Sequence, residues 1–388
     1  MSLLNSKRNR LTLRWALLPL FLCAVHSRSL KAGETGAATQ AESTAYAQHA
    51  TQAVQALQSW YDLDTGLYRT TGWWNSANAI TVLADYARVT QSREYDFVFS
   101  NTFSTAQKTA PGFINKFYDD EGWWALAWID AYGITKDQRY LTVAKSIFTD
   151  MTYGWDNTCS GGIWWSKDRN YKNAIANELF LSVAAQLANS TSDPREKATY
   201  LAWARREWSW FSHSGMINGK GLVNDGLTEK CENNRKTTWT YNQGVILGGL
   251  VALHQSDPKS DSGPALMQEA SRIADAAIAA LADAQGILHD PCEPNCGGDG
   301  TQFKGIFVRN LSTLEDSDSR PQFKRFLLTN ADSIWSQVHP PDFHLGEVWI
   351  APFSGSNASS QSSALDALVA AAHVAGKPHE SHRSLTDH

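Results

Sequence analysis

Two aspartates, Asp119 and Asp120, stand side by side in the stretch FYDDEGWWALAWIDAYG, just ahead of a tryptophan-rich apolar run. Their plainest role is at a helix start, because aspartate is a preferred N-cap and first-turn acids oppose the helix dipole. Two carboxyl groups can also share work on one glycosidic bond. A separation of about 5–5.5 Å supports a covalent, retaining route, and about 6.5–9.5 Å leaves room for an inverting water. Adjacent residues at a helix start have Cβ atoms only a few ångströms apart, which favours retention. Carboxylates this close repel, so one holds its proton more firmly. One then stays ionised as a nucleophile while its neighbour stays protonated as a general acid. The residues alone do not order the two.

Tryptophan is the unusual residue. The chain has 16, against roughly five for an average chain of this length. Thirteen lie between Trp60 and Trp239, and three pairs are adjacent: Trp73-Trp74, Trp123-Trp124 and Trp164-Trp165. Neighbours on a helix point about 100° apart, so one ring of a pair can enter the core while the other lines a cleft. Flat indole faces suit the C–H faces of sugar rings.

Such groups need a frame to hold them. Helical periodicity runs almost throughout, over 43–60, 73–89, 95–106, 119–133, 137–151, 171–189, 194–212, 240–255, 264–283, 302–314, 321–337 and 360–375. Several starts are punctuated, as where Asp193 precedes Pro194. Every second helix has aromatic and amide residues in its first turn and an interior that is apolar or small on all sides, the pattern of an inner helix. The alternate helices carry more charge. Six inner and six outer helices in alternation describe an all-α, single-domain (α/α)6 barrel. The segments 152–170, 213–239, 284–301 and 338–359 lead into inner-helix starts. Long loops that converge on one rim are where a binding site is expected.

The stretches FYDDEGWWALAWIDAYG, CSGGIWWSKDRNYKNAIANELF, GLVNDGLT and TWTYNQGVILGGL resemble glycoside hydrolase family 76, over about residues 45 to 375. That family comprises endo-α-1,6-mannanases and fungal cell-wall transglycosidases. The resemblance implies an (α/α)6 barrel, a retaining mechanism without a cofactor, Asp119 as nucleophile and Asp120 as acid/base. It also implies a sugar-binding set: Trp73, Trp74, Asn75, Trp123, Trp124, Asn173, Asn177, Asn224, Asp225, Trp239, Tyr241 and Gln243. Asn173 and Asn177, four apart, share one helix face. The competing role for each polar member is capping or loop bonding. Lys172, next to Asn173, either holds a carboxylate's charge state or is simply solvated.

The compartment is legible in other features. Lys7, Arg8, Arg10 and Arg14 precede the apolar run WALLPLFLCAV, too short for a comfortable membrane span. Residues 1–27 read as a signal peptide cleaved near Ser27, 28–42 as a flexible segment, 43–376 as the catalytic domain and 377–388 as a polar tail without an anchor signal. Cleavage leaves Cys159, Cys231, Cys292 and Cys296, an even set with three possible pairings. Cys292 and Cys296 bracket a turn that a local bridge would close, which leaves Cys159 with Cys231. Asn189, Asn310 and Asn357 lie in glycosylation sequons.

A net charge of −5 and a pI near 6.1, with no basic stripe, argue against a nucleic-acid partner. Neither HDPCEPNC nor HPPDFH has the spacing of a histidine metal site, so no metal is expected. The reading is a secreted, possibly wall-associated monomer that hydrolyses α-1,6-mannan. Its first rival is a transglycosidase that moves a mannose-containing anchor glycan onto wall glucan. The second is a non-catalytic carbohydrate receptor, which both aspartates disfavour. A protein-binding helical scaffold would explain neither the indoles nor the polar rim.

Overall fold

The computed structural model describes residues 21–260, 262–338, 341–353 and 355–377, with side chains from Gln40 onward. Most of the expected signal segment and polar tail lies outside these residues. A long helix α1 (Phe21–Gln58) precedes a two-stranded antiparallel hairpin, β1 (Tyr61–Asp62) and β2 (Leu67–Tyr68). Then come α2 (Trp73–Thr90), α3 (Asp96–Thr105), α4 (Tyr118–Thr135), α5 (Gln138–Thr152), α6 (Ala174–Ser190) and α7 (Pro194–Phe211). The second half holds α8 (Thr240–Ser256), α9 (Gly263–Leu281), the single turn α10 (Gly297–Gly300), α11 (Phe303–Ser317), α12 (Pro321–Trp335) and α13 (Ala358–Ala375).

Burial sorts the helices into two rings. In α8, α6 and α13 nearly every residue is buried, whereas α7, α9 and α12 bury one face. An apolar cylinder is stable only when surrounded, and an amphipathic one covers it. The inner helices pack in order, α2 on α4, α4 on α6, α6 on α8, α8 on α11, α11 on α13, and α13 back on α2. The outer helices α5, α7, α9 and α12 each lie against two inner neighbours. Among the described residues the first helix, α1, packs on the last, α13, where Gln361 Nε2 donates to Ala53 O at 2.9 Å. The molecule is thus a single-domain (α/α)6 toroid.

Two glycines allow close approach within the inner ring. A Cβ on Gly244 would lie 2.6 Å from Phe307 Cα, and one on Gly305 would lie 2.5 Å from Ser363 Cα. Outer starts follow the sequence punctuation. Asp193 caps α7, its carboxylate accepting from the N–H groups of Arg195 and Glu196, with Pro194 as the first helical residue. Among the described residues no helix is long and apolar enough to cross a membrane.

Candidate active site

Helix α4 has Phe117 as its N-cap, so Asp119 and Asp120 lie in its first turn and neither caps it. Both are half-buried at the mouth of the barrel. Asp119 Oδ2 accepts a hydrogen bond from Trp165 Nε1 at 2.9 Å, while its Oδ1 is buried without a partner. Asp120 Oδ2 accepts from Asn115 Nδ2 at 2.7 Å. Both donors sit on chain segments tied by an antiparallel bridge between Phe117 and Ser166. There Tyr118 N donates to Trp165 O at 2.9 Å and Lys167 N to Lys116 O at 3.0 Å. Buried Glu121 completes the frame. It accepts from Asn115 N at 3.1 Å and pairs with Lys167 at 2.9 Å.

Burial raises the proton affinity of both aspartates. Asp119 is pushed up to about 8, by desolvation first and by the Asp120 charge second. Asp120 is pushed up to about 6 by desolvation, with Asp299 adding to the rise and the Asn115 amide opposing it. Both shifts favour the protonated form, so the close pair keeps one proton more firmly than an isolated carboxyl would.

Aromatic rings surround the pair. Trp74 stacks on Trp123 with centroids 5.6 Å apart, Trp123 on Tyr241 at 6.5 Å, and Tyr241 on Phe303 at 3.9 Å. Trp239 meets Phe303 edge-on at 5.6 Å. Carboxylates pin the indoles: Trp74 Nε1 donates to Asp299 at 2.8 Å and Trp239 Nε1 to Asp225 at 3.1 Å. Tyr171 donates to the other oxygen of Asp225 at 2.5 Å, and its ring meets Trp165 edge-on at 6.5 Å. The wall thus runs from Asp299, the acceptor for Trp74, round to Trp165, the donor to Asp119.

The expected sugar contacts divide sharply. Trp74, Asp225, Trp239 and Tyr241 belong to this wall, and Trp123 is buried between Trp74 and Tyr241. Trp124 does not: it is fully buried against Trp73, Phe113 and Trp128, at 5.4, 4.7 and 5.8 Å. The amides are also corrected. Asn177 gives its oxygen to Ile163 N at 2.7 Å and its nitrogen to Ile163 O and Asn173 O at 3.0 and 2.7 Å. Gln243 treats Val223 the same way, at 2.8 Å in both directions. Asn173 caps α6, Asn75 accepts from Gly72 N, and Asn224 bonds Asn218, Asn233 and Lys236 O. The reason is local. Loop backbone buried against an inner-helix start has lost water, and an amide supplies both the donor and the acceptor it needs. Gln361 on α13 likewise accepts from Leu345 N and donates to the carbonyls of Ala53 and Phe343.

Lys172 is buried rather than solvated. It pairs with Asp156 at 2.8 Å and donates to the carbonyls of Thr158, Gly161 and Gly162. Asn115, Trp165, Tyr171, Asp299 and Phe303 were missed as site residues. Trp165 had a signal in its indole pair, but Asn115 and Asp299 look like ordinary loop residues. The disulfides join Cys159 to Cys231 and Cys292 to Cys296. Asp290 lies close to Cys292 and Cys296, whose sulfurs are committed to their bond; its own carboxylate accepts from Thr240 N and Oγ1 at the start of α8. The Asn310 sequon is corrected as a glycan site. Its side chain bonds Ile306 O inside α11 and fills the space that a Gly248 Cβ would take. Asn189 is exposed, with its amide on Ala252 O, and Asn357 caps α13.

A family model described as glycosyl hydrolase family 76 matches residues 38–382. The chain belongs to glycosyl hydrolase family 76. It is similar to the α-1,6-mannanase GH76A of Salegentibacter sp. HEL1_6, with a TM-score of 0.76 and 25% identity over 85% of this chain and 99% of that one. That enzyme was solved as an inactive variant, with two adjacent aspartates replaced by alanine, in complex with α-1,6-mannotetrose. The fold is shared with Dfg5 from Chaetomium thermophilum, solved with glucosamine, at a TM-score of 0.73 and 20% identity over 84% of this chain and 90% of that one. Mannan endo-1,6-alpha-mannosidase DCW1 of Candida albicans is 27% identical over 236 residues, 55% of this chain and 51% of that protein. The chain spans about half the length of the fungal relatives of this kind that it matches.

Proposed function

We propose that this family 76 chain is a retaining endo-hydrolase of α-1,6-linked mannan, acting through a covalent glycosyl-aspartate intermediate. The observation that carries the reading is the pair Asp119 and Asp120, each with one side-chain hydrogen-bond donor, set within an aromatic wall. A sugar ring can lie on the indoles while both carboxyls reach its anomeric region. Asp119 attacks the anomeric carbon as Asp120 passes its proton to the departing glycosidic oxygen. Asp120 then takes a proton from water, whose oxygen displaces Asp119 and restores both groups. Burial raises the proton affinity of both carboxyls, which keeps one proton on the pair. In the productive complex that proton sits on Asp120 and Asp119 is ionised. The relative from Salegentibacter, inactive without its adjacent aspartates and solved with an α-1,6-mannan oligosaccharide, supports both substrate and pair. Two disulfides fit an oxidising compartment outside the cytosol, and the fungal relatives suggest the cell wall as its place.

The deciding experiment incubates the protein with linear α-1,6-mannan and follows product size and anomeric form. Short α-anomeric products are expected. Asp119→Asn and Asp120→Asn should each lower kcat by at least about 10³-fold while leaving oligosaccharide binding measurable. Azide should rescue the variant that lost the nucleophile as a β-glycosyl azide, and the acid/base variant as an α-glycosyl azide. β-Anomeric products from the wild type, or α-azide from Asp119→Asn, would overturn retention or the role order.

A further inference from the structure

The axis of the toroid has a second opening. The inner helices begin at the catalytic mouth and finish at the opposite face, where a cavity of about 310 Å³ runs back up the axis. Its lining comes from the later turns of α2, α4, α6, α8 and α11. Asn189, Gln255 and Thr313 stand exposed at its rim, and Ser182, Val245 and Trp123 are buried at its head. Val245 and Gln255 are ten residues apart on α8, which makes the shaft about 15 Å deep. Trp123 closes it, and the same indole packs between Trp74 and Tyr241 on the catalytic side. A smaller cavity of about 110 Å³ shares Asp85, Arg88, Arg309 and Thr313 with the shaft and reaches Asp366 on α13.

Each charge in the shaft already has a partner. Arg88 pairs with Asp85 and, at 3.0 Å, with Asp130. Arg309 pairs with Asp366 at 3.3 Å, donates to Asn78 Oδ1 at 2.5 Å and lies 5.9 Å from the centroid of the Trp123 ring. A charged ligand would have to break one of these pairs, and a neutral one would not. Hydrogen-bonding capacity is left over. Asn310 spends its Nδ2 on Ile306 O at 2.8 Å and Asn189 spends its Nδ2 on Ala252 O at 2.9 Å, which leaves each an acceptor oxygen. Half-buried Gln186 adds an amide from α6. Asp366 is 1% exposed and its Oδ1 has no partner, a costly state that an arriving hydroxyl relieves.

We infer that the shaft is a second sugar-binding site, separated from the catalytic pair by Trp123, which takes a neutral mono- or disaccharide. Its volume lies at the small end of ligand sites. Its amides suit sugar hydroxyls, and Leu126, Val245 and Trp123 suit the C–H faces of a ring. The ligand class follows from this lining and is independent of what the mouth cleaves.

The test uses the full chain carrying Asp119→Asn and Asp120→Asn together, so that nothing is turned over, made without N-glycans so that the rim at Asn189 is bare. α-1,6-Mannobiose is titrated while side-chain amide and indole ¹H–¹⁵N signals are followed. Gln186, Asn189 and Asn310 should shift along one saturation curve. Adding Gln186→Leu should weaken that curve, read at Asn189 and Asn310, by about 3- to 10-fold and leave the curve of Asn115 and Trp165 at the mouth unchanged. Gln255→Leu at the rim serves the same purpose should the first variant fail to fold. Shaft signals that stay still, whether or not the mouth signals move, would overturn the inference, as would a shaft curve that neither variant weakens. Shaft signals that saturate in a protein whose wild type leaves α-1,6-mannan uncut would remove the proposed function and keep this inference.

Discussion

Replacing Trp165 with Phe tests the catalytic pair at its most specific contact. The substitution keeps an aromatic ring between Phe117 and Tyr171, its neighbours at 4.9 and 6.5 Å, and removes the indole N–H that reaches Asp119 Oδ2 at 2.9 Å. No second side chain compensates, because Asp119 Oδ1 is buried and unpartnered. A hydrogen bond to a charged group is worth about 1.5–3 kcal/mol, so kcat/KM should fall by about 10- to 150-fold at the optimum. The pH profile adds direction. The active form carries one proton on the pair, with Asp119 ionised. Loss of a donor to ionised Asp119 raises the proton affinity of the pair, so the pH profile should move up by about one pH unit. The assay is initial rate on an α-1,6-mannan oligosaccharide across pH, with thermal unfolding as a control for folding. A folded variant with less than about threefold loss, or an unmoved pH profile, would refute the reasoning.

Asn177→Leu should strand the buried N–H and C=O of Ile163, which the amide now satisfies. A loss of about 2 kcal/mol or more in denaturant unfolding is expected, together with reduced activity, because the same segment carries Trp165. Asp119→Asn should raise Tm at pH 8. The folded proton affinity of Asp119, about 8, lies above the ordinary 3.8, so the folded state binds more protons and stability falls as pH climbs between those values. The gain over wild type should shrink towards zero near pH 4, as measured by parallel melts.

The toroid was legible because its signal is long-range and redundant. An inner helix such as α8, TYNQGVILGGLVALHQS, has no polar face to give to water, whereas α7 has one. The pairing of Cys159 with Cys231 followed from the tight spacing of the other two cysteines. The site was legible only in part. Adjacent indoles must diverge, yet spacing could not say that Trp123 is buried between Trp74 and Tyr241 while Trp124 packs on Phe113 and Trp128. Asn177 and Gln243 look like sugar ligands because an amide that satisfies loop backbone and one that satisfies a hydroxyl have the same chemistry. What separates them is whether the nearest unsatisfied partner is protein, and that depends on loop paths that periodicity does not encode. Asp299 reaches Trp74 across 225 residues of chain, a distance over which one sequence carries no local cue.

The closure of the inner ring has a consequence in time. The seam is made by α13, which docks on both α1 and α2 and places Gln361 on Ala53, 308 residues away. Contacts that distant carry a loop-closure penalty and form late. Until α13 docks, the paired acids of α4 stand in an open horseshoe of inner helices rather than in a closed circle. Activity should therefore appear with completion of the circle rather than with the folding of α4 alone.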